Sequence, residues 1–571
     1  MPRILVLLFL LVAGPLAAAE RPAGVNYELS PVIAEGRLTA LAVILRFPAA
    51  ADGATRLALP EGYGGGREGW TNVRDLTIEG ARAVETPAPG VRTLLAGPGA
   101  PLTVRHRLVS PHDHDPRLDD SDKYRPAIRP DWFYVVGSSL FARPYHEGDR
   151  TPVRFTWNGG TSGIRAMSDL EPDEGAFGTV TGEVVVHDLW RSAVIGGRDL
   201  RVTRAGKVRV AAIGTYAFDQ QRATELAHRI LASQSRFWDE PERPFLITIA
   251  PQYADSPLSR GWVGTGRAAG FATQLTPNVT MEDLIFFFAH ENFHRWNPPE
   301  LGGQGPEGAQ GLWFSEGFTD FFSLRLAVRE GAMSPEAFVE TCNSHLAAYS
   351  ASNARTRPNA ETAAAFWTDP AAKRIPYLRG AMLAALWDWK ARRETGGALS
   401  LDAILRDQRQ AAKGRPSDEQ TPAFRLFQQV AARRGLDLSA DLARYLDRGE
   451  AIELPTDVFG DCARVEWREQ PSYDRGWDIP ATSRAGGVVT GMREGSGGWR
   501  AGLRNGMTVL ERTGGRPDDS SVEMAVRARA PDGAERVFRF KPEGDRQVRL
   551  QHVALTEAGG GAACRRAGAG F

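Results

Sequence analysis

Three cysteines in 571 residues are too few for a disulfide-dense scaffold. Neither sign of charge is in excess: 69 Lys+Arg balance 69 Asp+Glu, so the formal net charge is zero. A dedicated nucleic-acid or anionic-membrane binder carries a basic excess, which argues against both classes. After the first residues, no apolar run approaches the roughly 20 residues that a membrane span requires. The glycine-rich stretches lack the strand–turn–helix setting of a phosphate- or dinucleotide-binding loop. What is present is ordinary for folded domains, 42% hydrophobic and 24% charged residues, with 61 Gly and 37 Pro to build turns. At roughly 100–200 residues per domain, about three to five domains are expected.

The N terminus reads as a targeting segment. Met1-Pro2-Arg3 is followed by an apolar run from Ile4 to Ala13, a Gly14-Pro15 break and the small residues Ala17-Ala18-Ala19. That pattern predicts a signal peptide over 1–19 with cleavage after Ala19. The mature chain is expected to be exported, periplasmic or secreted, with no membrane span. An oxidising compartment permits disulfides. Cys462 and Cys564 flank the last domain, where chain ends often lie close together, which leaves a pairing open. Cys342 falls in a helical pattern and reads as a small buried residue.

The patterning predicts a multidomain α+β chain. Over 20–205, short alternating runs such as Leu38 to Leu45 and Gly182 to His187 predict an antiparallel β domain, a sandwich. Over 206–458 the period changes. Asp219 to Trp238 has helical spacing, and Pro244 to Ala250 reads as a buried strand. Helices follow over 281–296, 312–330, 335–350, 376–393, 401–412, 422–434 and 439–448. Over 459–556 strands return, with Gly486 to Gly491, a one-turn helix at Ala501-Gly502-Leu503 and a strand through Val509-Leu510. This order looks like a PDZ domain, and the tail 557–571 is expected to be disordered.

One motif carries chemistry. Phe288-Ala289-His290-Glu291-Asn292-Phe293-His294 contains His-Glu-x-x-His. On a helix, His290 and His294 lie one above the other, so two imidazoles can reach one metal ion at about 2.0–2.1 Å. Glu291 projects beside them, placed to take a proton from water rather than to bind the ion. With ten His in 571 residues, chance supplies about 0.01 such matches in a chain of this composition. A third ligand follows a Gly-rich loop, in Trp313-Phe314-Ser315-Glu316-Gly317-Phe318-Thr319-Asp320. Glu316 completes a His₂Glu set with an open position, the pattern of a catalytic zinc site with one ion per chain. Asp320 lies four residues on, able to accept the outer N–H of a ligating histidine.

These motifs, with Arg295-Trp296-Asn297 and Tyr377-Leu378-Arg379-Gly380, resemble the gluzincin metallopeptidases, most closely the glycyl aminopeptidase family. The resemblance implies an N-terminal β domain, a thermolysin-like catalytic domain, a C-terminal PDZ domain, zinc, and peptide or protein substrates. It also implies that Tyr377 donates a hydrogen bond to the developing oxyanion, with Arg379 replacing the usual Lys. The family usually carries Gly-Gly-Leu-Glu-His before the metal helix, whose Glu resembles an acid that pairs with a substrate's free amine. The aligned stretch here is Thr265 to Thr273, where the Glu position falls on Ala268 beside Arg267. An unpaired buried ammonium is costly, so this departure puts aminopeptidase specificity in doubt and leaves the hydrolytic centre untouched. Gly266 and Arg267 are the corresponding substrate-binding candidates, with cleavage of blocked or internal bonds, or a substrate carboxylate near Arg267, as the expectation.

Two other readings stay open: an exported peptide-binding PDZ scaffold with a structural zinc, and a zinc hydrolase of non-peptide amides or esters. An intact Glu291 argues against the scaffold, because a structural site is closed by four protein ligands. The PDZ-like part could receive an extended peptide or C terminus, whether to present substrate, tether a partner or regulate access. His112-Asp113-His114-Asp115, beside Asp119, Asp120 and Asp122, reads as a solvated loop. His345 reads as a packed helix residue, and Ser315 and Ser323 lack a base partner.

Overall fold

The computed structural model describes residues 24–63, 68–118, 124–144, 151–171, 182–254, 259–305, 308–413, 421–516, 518–557 and 564–565. The expected signal segment, most of the expected tail, and Asp119, Asp120 and Asp122 lie outside the described residues.

The N-terminal part is rich in antiparallel sheet. In Arg37–Pro48, alternation turns Leu41, Val43, Leu45 and Phe47 inward; Leu38 and Ala40 are also buried, ahead of a break in the alternation between Ala40 and Leu41. This strand pairs with Val25–Ala34 and Pro101–Leu108 in a six-stranded sheet. Two four-stranded sheets share its core, through Leu57 and Leu94 of one and Phe133, Val135 and Val194 of the other. Helices here are single turns, Gly137–Leu140 and Val186–Trp190.

The central part pairs a five-stranded sheet with helices. Its strand order is Arg201–Ala205, Val208–Ala212, Phe245–Pro251, Gly270–Leu275, Trp262–Gly266. The inner pairs are parallel, and the unbroken apolar run Phe245–Pro251 is buried along nearly its whole length, as a strand covered on both faces must be. The outermost strand, Trp262–Gly266, has a strand neighbour on one side only among the described residues. The helix Gln220–Phe237 starts where Asp219 accepts from Arg222 N at 2.8 Å and buries Ala223, Leu226, Ala227, Ile230 and Leu231, as its spacing predicts.

One helix start needs correcting. Pro376 does not begin a helix; it lies inside Pro370–Glu394. Asp369 caps the true start by accepting from Ala371 N at 2.8 Å, and Pro370 occupies the first turn, where no N–H bond is lost. The polar pair Lys373-Arg374 hides this first turn from an apolar-periodicity reading. A short helix at Asn359–Ala365 likewise escapes that reading.

Two glycines set how closely the central helices approach. Gly317, at the start of Gly317–Arg329, lies against Gly380 of Pro370–Glu394. A Cβ on Gly380 would collide with the Trp313 carbonyl oxygen, and one on Gly317 with Gly380 Cα. This contact sets the Glu316 end of one helix beside Tyr377 on the other. Around it an aromatic core of Trp313, Phe314, Phe318, Trp387 and Phe427 is closely interleaved.

The C-terminal part holds a long antiparallel pair, Ala463–Tyr473 with Glu543–Leu555, and a three-stranded sheet of Thr508–Gly514, Met524–Arg529 and Glu535–Phe540. Two features shift from expectation. The one-turn helix is Gly497–Arg500, because Ser496 caps it by accepting from Trp499 N at 3.3 Å. The run 486–491 contributes a single bridge, Val488 to Thr508, rather than a strand. Asn343 of helix Pro335–Ala351 bonds both backbone groups of Val553, at 2.9 and 2.7 Å, which fastens the long pair to the central helices. Cys462 and Cys564 are joined, with Cα atoms 4.5 Å apart. Cys342 is free and half-buried. No helix among the described residues is long and apolar enough to cross a membrane.

Two predictions follow from packing. Gly380→Ala should lower stability by about 1–3 kcal/mol, the usual cost of overpacking, measured by denaturant unfolding. His106 is fully buried in strand Pro101–Leu108, and burial pulls its imidazole from 6.5 down to about 4. The unfolded chain therefore takes up a proton at His106 before the folded one does. Stability should fall by about 2–3 kcal/mol as pH drops from 6.5 to 4 through this group alone, and His106→Leu should reduce that slope in unfolding measured across the same range.

Candidate active site

The site begins on the helix Met281–Phe293. Thr280 and Asp283 form a reciprocal cap: the Asp283 carboxylate accepts from Thr280 N at 2.8 Å. Leu284, Phe287 and Phe288 anchor the helix against the five-stranded sheet. His290 lies in its last turn, and His294 is its C-cap residue. Their Nε2 atoms are 3.0 Å apart, and Glu316 Oε2 is 3.4 Å from His290 Nε2 and 3.3 Å from His294 Nε2. Three ligand atoms bound tetrahedrally to one ion at about 2.1 Å stand about 3.3–3.4 Å apart, so this donor set fits zinc. Among the described residues, His290, His294 and Glu316 are the one group of three His, Cys, Asp or Glu side chains whose ligand atoms converge.

Each imidazole is held from behind. His290 Nδ1 lies 2.7 Å from Asp320 Oδ1, and His294 Nδ1 lies 2.9 Å from the Asn297 carbonyl oxygen. With Nδ1 donating outward, both Nε2 lone pairs face Glu316. Asn297 is itself fixed: its side-chain amide donates to the Phe314 and Ser315 carbonyls at 3.1 and 3.2 Å. That bond ties the end of the histidine helix to the segment bearing Glu316. Asp320 thus stands beside the outer nitrogen of His290, where the sequence reading expects it.

Charge is balanced tightly here. Burial works against a charged His290, but the Asp320 and Glu316 carboxylates outweigh it and hold the imidazole well above its ordinary value. Glu316 shows the converse, with burial overcome by two imidazoles that hold its carboxyl well below the usual range. Glu291 is pushed up, by burial above all. Tyr377 is pushed far up by burial and then by the Glu316, Asp320 and Glu291 carboxylates, which keeps the phenol a neutral donor. Its ring stacks on His290 with centroids 6.0 Å apart.

These groups open into a cleft of about 460 Å³ lined by Trp262, Val263, Gly264, His290, Glu291 and Tyr377, among others. Gly264 was not legible as a site residue. It lies on the edge strand directly over Glu291, where an added Cβ would stand 2.5 Å from Glu291 Cδ. Tyr124 fixes the strand by donating to Gly264 O at 2.5 Å. No sequence signal separates this glycine from the chain's many others. Lys373 and Arg374 also line the cleft and were missed, although both lie one turn before Tyr377.

Gly266 and Arg267 fall at the end of the edge strand, outside the cleft lining. Arg267 Nη2 donates to Thr265 Oγ1 at 2.8 Å, and its guanidinium lies over the Tyr63 ring at 4.5 Å. Gly266 has open space where a Cβ would go. Ala268 packs on the N-terminal β core, and its N–H donates to the Arg191 carbonyl at 3.1 Å. Buried Asp169 clamps this turn by accepting from Ala193 N at 2.8 Å and Ala269 N at 3.0 Å. Arg379 is buried away from the cleft and donates to the Arg355 and Arg357 carbonyls. His112 and His114 stack on each other without joining a ligand cluster. His345 packs edge-on against Phe286 and also borders the cleft.

Gly264→Ala should displace the Glu291 carboxylate while leaving the fold intact. Peptide turnover should fall by about 100-fold, the usual consequence of a misplacement near 1 Å, with an unchanged unfolding midpoint as the control.

Residues 283–380 match the family model of the M61 glycyl aminopeptidases. No curated protein sequence matches the chain. Among solved structures, an aminopeptidase N family protein from Idiomarina loihiensis is similar at 14% identity, covering 95% of this chain and 99% of that one, with a TM-score of 0.68. An M1 zinc metallopeptidase from Deinococcus radiodurans is 16% identical over 76% of this chain and 96% of that one, at a TM-score of 0.45. The matched segment contains His290, Glu291, His294, Glu316 and Tyr377, so the part of the chain that carries the converging side chains is similar to the M61 glycyl aminopeptidases.

Proposed function

We propose that this protein is an exported zinc metallopeptidase that hydrolyses peptide bonds, with Glu291 as general base. The observation that carries the reading is the convergence of three ligand atoms within 3.4 Å of one another beneath a cleft that Glu291 also faces. His290, His294 and Glu316 would hold one zinc ion per chain. Such an ion, when bound, polarises a scissile carbonyl and lowers the pKa of a water toward about 7. Glu291 takes the proton from the attacking water and passes it to the leaving amine, so that one carboxylate serves as base and then acid. The Tyr377 phenol donates a hydrogen bond to the developing oxyanion. The outer edge of Trp262–Gly266 lines the cleft over Glu291, so an extended substrate would run beside it, with the Gly264 carbonyl already taken by Tyr124.

Domain roles follow the same reading. Residues 20–205 form a β-sandwich that buttresses the edge strand, 206–458 a thermolysin-like catalytic domain, and 459–556 a PDZ-like domain able to take a peptide or C terminus. Residues 1–19 serve as a signal peptide, and 557–571 as a tail. The Cys462–Cys564 bond is compatible with export. Free-amine selection is not part of the proposal, because Ala268 stands where the family's acid is expected and packs on the β core.

Glu291→Gln should retain metal and lose about 10²–10⁴-fold in turnover. A peptide-library digest with mass analysis of products, run with and without a chelator, reads activity, metal requirement and cleavage position together. Wild-type rates from Glu291→Gln, or hydrolysis indifferent to the chelator, would overturn the assignment.

A further inference from the structure

The cleft wall opposite the edge strand is cationic. Lys373 and Arg374 lie in the first turn of Pro370–Glu394, four and three residues before Tyr377, and both line the cleft with His290 and Glu291. They therefore share the helix face that presents the phenol. The carboxylates in the same lining are Glu291, facing the ligand set, and Asp320, bonded to His290. No further acid lines the cleft among the described residues, so nothing there pairs with a substrate ammonium. Arg374 is exposed and is met at 3.5 Å by half-buried Asp518 of the C-terminal part, a carboxylate that a substrate's would have to displace there. Lys373 is exposed and forms no ion pair among the described residues.

We infer that Lys373 and Arg374 form a subsite for a carboxylate on the substrate, set close to the scissile bond. The inference rests on the peptidase reading and names its substrate class. One helical turn spans about 5.4 Å, and an extended peptide rises about 3.4 Å per residue. A carboxylate at Lys373 thus belongs to a residue one or two positions from the carbonyl at Tyr377. Two sources share that chemistry: an Asp or Glu side chain, or the substrate's own C terminus.

The test uses the full mature chain and blocked alanine-rich hexapeptides. One set carries a single Glu or Gln at each position in turn; a second has a free or amidated C terminus. Wild-type protein should favour one carboxylate form by at least about 10-fold in kcat/KM, chiefly through KM, with the preference shrinking in high salt. A Glu-over-Gln preference identifies a side chain, and an acid-over-amide preference identifies the terminus. Lys373→Met should cut that ratio to below about 3-fold, and Lys373→Glu should bring it to unity or invert it. Equal rates for every pair, or a preference untouched in Lys373→Met and Arg374→Met alike, would overturn the subsite. Binding is measured separately on Glu291→Gln protein by calorimetry with the same peptides. A carboxylate preference in binding without any hydrolysis by wild type would refute the peptidase and keep the subsite. Hydrolysis with no such preference would do the reverse.

Discussion

The close approach of two helices at Gly317 and Gly380 is the constraint on which the site depends. The proposed site needs a carboxylate and a phenol on different helices within a few ångströms of two imidazoles. Ordinary side chains at the crossing would hold the helix axes roughly 8–10 Å apart. Removing both Cβ atoms lets the backbones touch, and Glu316 and Tyr377 then reach the same point from separate elements. The aromatic packing around Trp313 and Trp387 makes that geometry stiff, because a dense core does not yield continuously.

A second layer of polar contacts turns proximity into orientation. Asp320 and the Asn297 carbonyl face the outer nitrogens of the two histidines, so both inner lone pairs point the same way. The Asn297 amide also bridges to the Glu316 segment, coupling the position of one ligand helix to the other. These groups are buried, where an unpaired partner costs far more than on the surface. The same network therefore serves stability and chemistry.

The N-terminal and C-terminal parts act on the cleft through its walls. The β core receives Ala268, and Asp169 holds the turn that ends the edge strand, so the strand's register over Glu291 depends on the neighbouring part. Tyr63 and Tyr124 reach across from the same side to Thr265 and Gly264. From the other side Asp518 meets Arg374, and Arg516 meets Glu340 at 2.5 Å. The residues lining the cleft come from the central part alone, and the other two parts contact them from behind.

By itself the sequence determined which histidines and which glutamates are the candidate ligands and base, the alternating β part and most helices. Those features rest on local periodicity, and His290, Glu291 and His294 are neighbours on one helix whatever the rest of the chain does. Cap chemistry proved less readable: Asp369 moved a helix start six residues ahead of Pro376, because a good cap outranks a proline that an existing helix can contain. Tertiary structure alone decided that Gly264 overlies Glu291, that Arg379 and Ala268 point away from the cleft, and that Lys373 and Arg374 face into it. Each of those facts concerns residues far apart in the chain. Which ones meet is fixed by packing between elements, and no local pattern encodes it.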